Sequence, residues 1–82
     1  MLQVFWSDMP DLAVVSKLLE PVGEVILLGD RSLRLSPFDV QYPTMYFNRG
    51  GSIDIVIAGT DLFYQDNCLM ALEQWLGERF TR

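Results

Sequence analysis

The chain has 82 residues with one cysteine and no histidine, which is the size of one small domain covering residues 1–82. Without histidine, Ser-His-Asp and Cys-His catalysis within one chain are excluded, and a lone Cys68 excludes an intramolecular disulfide and a Cys/His metal site. The net charge of −5, from 11 acidic and 6 basic side chains, argues against a nucleic-acid partner, because phosphate neutralisation needs clustered Lys and Arg.

The apolar content of 50% is high for so short a chain. Part of it is expected to lie on the surface as an interface, and a homodimer is the economical interpretation. No stretch approaches the ~18 consecutive apolar residues of a membrane span, and the first segment reaches Asp8 too early for a signal peptide. We therefore expect a soluble, cytoplasmic protein with no membrane partner and no cofactor.

The chain begins with a predicted strand and helix. Residues 2–6 are apolar apart from Gln3, which predicts a short strand in the middle of a sheet. Asp8 can cap a following helix, Pro10 suits its first turn, and Asp11 favours the positive end of the helix dipole. The apolar side of this helix continues to about residue 20.

Pro21 and Gly23 end that helix, and residues 24–28 predict a second buried strand. Strand, helix and strand in this order predict a βαβ unit, with parallel strands joined by a right-handed crossover.

Residues 29–41 are open to two interpretations. The alternation in residues 32–35 could form a strand, paired in a hairpin around residues 29–31, or the segment could be a helical turn or loop leading to Pro37. We favour irregular structure here.

The strongest local signal is a β-hairpin in residues 42–58. Pro43 introduces one apolar strand, residues 48–51 supply an Asn-Arg-Gly-Gly turn, and a strand rich in β-branched residues follows. Pro43 must begin its strand or lie at a sheet edge, since it has no N–H to donate.

The last predicted element is a helix over residues 66–80. Its polar side contains Gln74, Gly77 and Glu78. Met70 lies off the apolar stripe and is a candidate for an exposed apolar patch. The stripe itself consists of Cys68, Leu69, Leu72, Trp75, Leu76 and Phe80.

This element order resembles the thioredoxin-like fold, including the N-terminal domain of glutathione transferases. Three segments are similar to that family: residues 5–10 between the first strand and helix, Tyr42-Pro43-Thr44 before the hairpin, and residues 65–67 leading into the last helix. The resemblance implies an α/β (α+β) domain whose sheet is mixed and carries helices, with β-α-β followed by a hairpin and a C-terminal helix.

The same resemblance argues against the family's chemistry. Residues 7–11 contain no cysteine where thioredoxins carry Cys-x-x-Cys, so redox exchange is excluded. A glutathione transferase would need an activating residue such as Ser7, but a helix-start role explains that serine better. At the family's Glu/Gln-Ser pair stands Gln65-Asp66, which lacks the hydroxyl donor.

Other candidate groups have plain structural explanations. Cys68 fits a buried apolar position. The pairs Asp8/Asp11 and Asp61/Asp66 could do acid–base work or bind a cation, but their places at helix starts account for them. Asp54 would guard against unwanted pairing if its strand lies at a sheet edge.

Aromatic and apolar residues near element ends are the candidates for an interface, because exposed Tyr and Trp are favoured binding anchors. These candidates are Trp6, Tyr42, Tyr64 and Met70. We expect a non-catalytic protein–protein interaction module that binds another protein, including itself as a homodimer. The alternative is a small acidic inhibitor or immunity-type protein that blocks a basic site on a partner enzyme or nucleic-acid-binding protein. A transferase using Ser7 is a third, weaker hypothesis.

Overall fold

A computed structural model of the protein describes residues 2–39, 42–56 and Gln74. Within that part of the chain, five strands form one sheet and one helix packs on it. The strands are β1 (Leu2–Phe5), β2 (Gly23–Leu28), β3 (Ser32–Pro37), β4 (Met45–Asn48) and β5 (Ser52–Ile55), and the helix is α1 (Leu12–Leu19).

The strand order overturns the expected thioredoxin-like layout. The order is β1-β5-β4-β3-β2, and every neighbouring pair is antiparallel. The sheet is therefore not mixed, and the domain is mostly sheet with a single described helix. Strands β1 and β2 point the same way, but they lie at opposite edges, and the connection through α1 leads from one edge to the other. The expectation that β1 is central was also wrong.

Residues 29–41, for which we favoured irregular structure, contain strand β3. Strand β3 pairs with β2 in a hairpin whose turn is residues 29–31, and Leu28 lies opposite Ser32. Gly29 occupies the turn with φ of 71°, a conformation that glycine adopts without steric cost. The alternation of apolar and polar residues in β3 correctly indicated a strand. Its two leucines, Leu33 and Leu35, are both fully buried. The hairpin places β3, not β1, beside β2.

The predicted hairpin in residues 42–58 is confirmed, with strands β4 and β5 as its arms. Its turn is closed by the Gly51 N–H, which donates to the Asn48 carbonyl at 3.1 Å. Pro43 precedes β4, as its missing donor requires. The Tyr42–Pro43 peptide bond is trans.

Helix α1 begins later than the sequence suggested. Asp11 is its N-cap residue, without a side-chain cap hydrogen bond, and the helix ends at Leu19 before Glu20 and Pro21. The predicted cap at Asp8 falls instead in a turn, where the Met9 N–H donates to the Trp6 carbonyl at 3.3 Å. The first helical residue is therefore Leu12.

One face of the sheet carries the core. Successive strand residues point to opposite faces, and the buried members all share one of them. The cluster consists of Leu33, Leu35, Met45, Phe47, Ile53 and Ile55 from the strands with Val15 and Leu19 from α1. The helix lies over β2 and β3 on this face. The other face, called the polar face, is mainly polar, with apolar Phe5, Ile26 and Leu28 on its two edge strands. Its residues are half-buried or exposed.

The C-terminal helix predicted over residues 66–80 lies outside the described residues, apart from Gln74. Gln74 is helical and exposed, as its predicted place on the polar side requires.

Candidate binding surface at the edge of strand β2

Strand β2 has one side without a strand partner. Among the described residues it pairs with β3 only. The Phe38 N–H donates to the Val22 carbonyl at 3.0 Å, and hydrogen-bonded pairs recur at every second residue of an antiparallel ladder. The N–H and C=O groups of Ile26 therefore point towards β3, whereas those of Val25 and Leu27 point away from the sheet.

Gly23 also points its backbone groups outward, but it is buried. A Cβ added to it would lie 2.6 Å from the Leu35 Cδ1 atom and 2.6 Å from the Ser36 carbonyl oxygen. The start of β2 is thus closely packed. The accessible backbone edge is therefore the part that contains Val25 and Leu27.

The accessible end of β2 is apolar on both faces. Leu27 is 53% exposed on the core side of the sheet and Leu28 is 41% exposed on the polar side. Natural edge strands are usually protected by lysines, prolines, bulges or short length. Over its six residues β2 contains no lysine or proline, and Glu24 is its one charged residue. An edge with these properties favours pairing with another strand.

The opposite edge, β1, is a less favourable surface. It has four residues, and its outward-pointing backbone belongs to Gln3 and Phe5, because the Trp6 N–H donates to the Gly51 carbonyl at 2.8 Å. Phe5 is 71% exposed, so it provides a comparison for Leu27 on the other side of the molecule.

A cleft of about 480 Å³ adjoins the β2 edge. It lies where the start of α1 meets the two hairpin turns. Its apolar lining includes Met9, Leu12 and Leu27, and its charged lining residues are Asp11, Asp30 and Arg49. The charged part of the lining therefore consists of two carboxylates and one guanidinium.

The polar face holds a hydrogen-bond network centred on Asp54. Its carboxylate accepts from Gln3 Nε2 at 2.7 Å and from Asn48 Nδ2 at 2.9 Å, and the Asn48 amide also donates to Ser52 Oγ at 3.2 Å. These bonds join β1, β5 and β4 side by side. Strand β5 is interior, so the condition for an edge-guarding Asp54 is not met. Its role is to align three strands.

Of the four interface candidates from the sequence, two lie among the described residues. Trp6 and Tyr42 are half-buried and pack against the core. Tyr64 and Met70 lie outside the described residues, as do Cys68 and the pair Gln65-Asp66.

The candidate catalytic and cation-binding groups are described in part. Ser7 and Asp8 lie in the turn after β1, and both are exposed, as is Asp11. Within residues 2–39 and 42–56 there is no group of three or more acidic, cysteine or histidine side chains that could hold a metal ion. Asp61 and Asp66 lie outside the described residues.

Sequence reasoning missed the β2 edge. Residues 25–28 form an apolar run, which is typical of a central strand covered on both faces. The useful signal was the hairpin interpretation of residues 29–31, because it makes β3 the neighbour of β2, in place of the β1 neighbour that a βαβ unit requires.

Comparison with protein-family models, with curated proteins and with solved structures found no match for this chain. Among the described residues, no helical segment has the length and apolar character that crossing a bilayer requires.

Proposed function

We propose that this protein is a non-catalytic protein–protein interaction domain that self-associates through the edge of strand β2. The observation that carries the proposal is the apolar edge formed by Val25, Leu27 and Leu28, which has no strand partner among the described residues. Edge strands recognise other strands through main-chain hydrogen bonds, and alternate side chains add specificity. A cytoplasmic location fits a single cysteine, which needs no oxidising compartment.

The energies involved predict reversible association. Burying the exposed half of a leucine contributes about 1 kcal/mol, and each main-chain hydrogen bond contributes about 0.5–1.5 kcal/mol. Losing translational and rotational freedom costs about 4–15 kcal/mol. The summed favourable energies of these contacts are of the same order as the entropic cost of association. We therefore expect a dimer whose population changes with protein concentration.

Net charge separates this proposal from the acidic-inhibitor alternative. Two chains of charge −5 repel each other, and salt screens that repulsion. Added salt should therefore leave self-association unchanged or strengthen it, whereas it should weaken the binding of an acidic inhibitor to a basic partner.

The decisive variant is Leu27→Lys, which places a charge on the β2 edge. We expect it to convert the dimer to a monomer, because a lysine on an edge strand disfavours pairing with another strand. Phe5→Lys is the matched control, since Phe5 is an exposed apolar residue on the other edge strand. The measurement is size-exclusion chromatography with light scattering over a hundredfold range of protein concentration.

The control should dimerise as the unmodified protein does. A wild-type protein that stays monomeric at the highest concentration would contradict self-association. Loss of the dimer in Phe5→Lys with its retention in Leu27→Lys would move the interface to β1.

A further inference from the structure

We infer that the partner of β2 is the β2 strand of a second copy, paired antiparallel about a two-fold axis at Ile26. This inference rests on the proposed self-association and specifies its geometry. In the resulting dimer the two five-stranded sheets join into one continuous sheet of ten strands, with both α1 helices on the same face.

The antiparallel arrangement follows from the symmetry of the pairing. A two-fold axis perpendicular to the sheet keeps the faces of both copies aligned, so residues of the same face must lie opposite each other. The two-fold axis must therefore pass through a residue of β2, and not between two residues. The main alternatives centre on Val25, Ile26 or Leu27.

The accessible backbone groups select among these three registers. With the axis at Ile26, Val25 of each copy lies opposite Leu27 of the other, and each pair exchanges two hydrogen bonds. Every accessible outward N–H and C=O group in β2 is then used. With the axis at Val25, Leu27 lies opposite Gly23, which is buried. With the axis at Leu27, Val25 lies opposite Gly29, whose φ of 71° departs from extended strand geometry.

The side chains agree with the same register. On the core side, each exposed Leu27 meets Val25 of the other copy. On the polar side, the two Ile26 side chains meet at the axis, and each Leu28 lies opposite the aliphatic stem of Glu24. The two Glu24 carboxylates are then four residues apart along the strands, about 14 Å, so their mutual repulsion is weak. The register covers apolar surface on both faces without opposing like charges.

A cysteine scan tests the register. Single variants Val25→Cys, Ile26→Cys and Leu27→Cys are made in a Cys68→Ala background, so that only the introduced thiol can cross-link. Residue 26 lies opposite itself in a non-hydrogen-bonded pair, with Cα atoms about 4.5 Å apart, within the range for a disulfide. Residues 25 and 27 are about 8 Å from their own copies, which is too far.

On mild oxidation at equal protein concentration, we expect at least tenfold more cross-linked dimer from Ile26→Cys than from either neighbour. Preferential cross-linking at position 25 or 27, or none at 26 in a protein that light scattering shows to be dimeric, would overturn the register while self-association stands. A monomer in light scattering would overturn both.

Amide hydrogen exchange of the unmodified protein provides a test without substitutions. The amides of Val25 and Leu27 should become at least tenfold better protected as the protein is concentrated through its dimerisation range. The Ile26 amide points to β3 in monomer and dimer alike, so its exchange should change much less. A concentration-independent Leu27 amide in a protein that dimerises would contradict pairing at this edge.

Discussion

Gly51 lies where the β4–β5 turn contacts the end of strand β1. It has φ of 108°, its carbonyl accepts from the Trp6 N–H, and it is buried against the end of β1. A Cβ at this position would lie 2.5 Å from the Trp6 carbonyl oxygen and 3.1 Å from the Phe5 ring. Glycine is therefore required here both for its conformation and for the close approach of two strands.

Gly51→Ala should destabilise the protein more than Gly50→Ala. Gly50 has φ of 98° with nothing within 4 Å of a Cβ, so its substitution brings only backbone strain, about 1–2 kcal/mol. Gly51→Ala adds a backbone clash and should cost about 3 kcal/mol or more. Urea unfolding of both variants measures the difference, and equal losses would show that the β1–β5 contact is looser than described.

At the scale of elements, the β2–β3 hairpin combines a protected strand with an accessible one. In β3, Leu33 and Leu35 alternate with polar residues and belong to the core. In β2, the apolar residues continue through consecutive positions, and the last two are exposed. In this hairpin the apolar edge strand β2 pairs with β3, whose leucines belong to the core. This pairing keeps β2 extended.

Leu33→Ala and Leu28→Ala should separate these two environments. Leu33 is fully buried and Leu28 is 41% exposed, so the first should cost about 2–5 kcal/mol and the second about 1 kcal/mol or less. Chemical unfolding should be compared in the Leu27→Lys background, where association does not contribute. Similar losses for the two leucines would place Leu28 in the core and contradict an accessible edge.

For the whole molecule, small size bears on the proposed self-association. An 82-residue chain buries a limited fraction of its surface, so the proposed partner subunit would add to its stability. The described core lies on one face of the sheet, and the second face is polar. A second copy at the β2 edge would extend the sheet and cover the apolar surface along that edge.

The melting temperature should therefore depend on protein concentration. Raising the protein concentration a hundredfold, through the dimerisation range, stabilises the dimer by up to about 2.7 kcal/mol. This is about 1.4 kcal/mol per chain, which should raise Tm by about 5 °C or more for a domain of this size. Differential scanning calorimetry of the unmodified protein and of Leu27→Lys measures this, and the variant should show no such dependence. A concentration-independent Tm in both proteins would contradict a stabilising dimer.

The sequence by itself determined the elements whose signals are local. The β4–β5 hairpin follows from a Gly-rich turn between two apolar runs, and α1 follows from apolar residues at helical spacing that end at Pro21. Strands β1 and β2 were also predicted. These elements depend on contacts between residues close in the chain, so their patterns are visible without the fold.

Only the tertiary structure decided which strands are neighbours, and this changed both the fold and the candidate site. Element order does not specify pairing: β-α-β was compatible with adjacent parallel strands, yet β3 and β5 occupy the positions beside β2 and β1. Apolar periodicity does not specify exposure either, so residues 24–28 could not be distinguished from a central strand. Leu27 became a candidate binding residue because β2, among the described residues, pairs with β3 only and Leu27 is exposed.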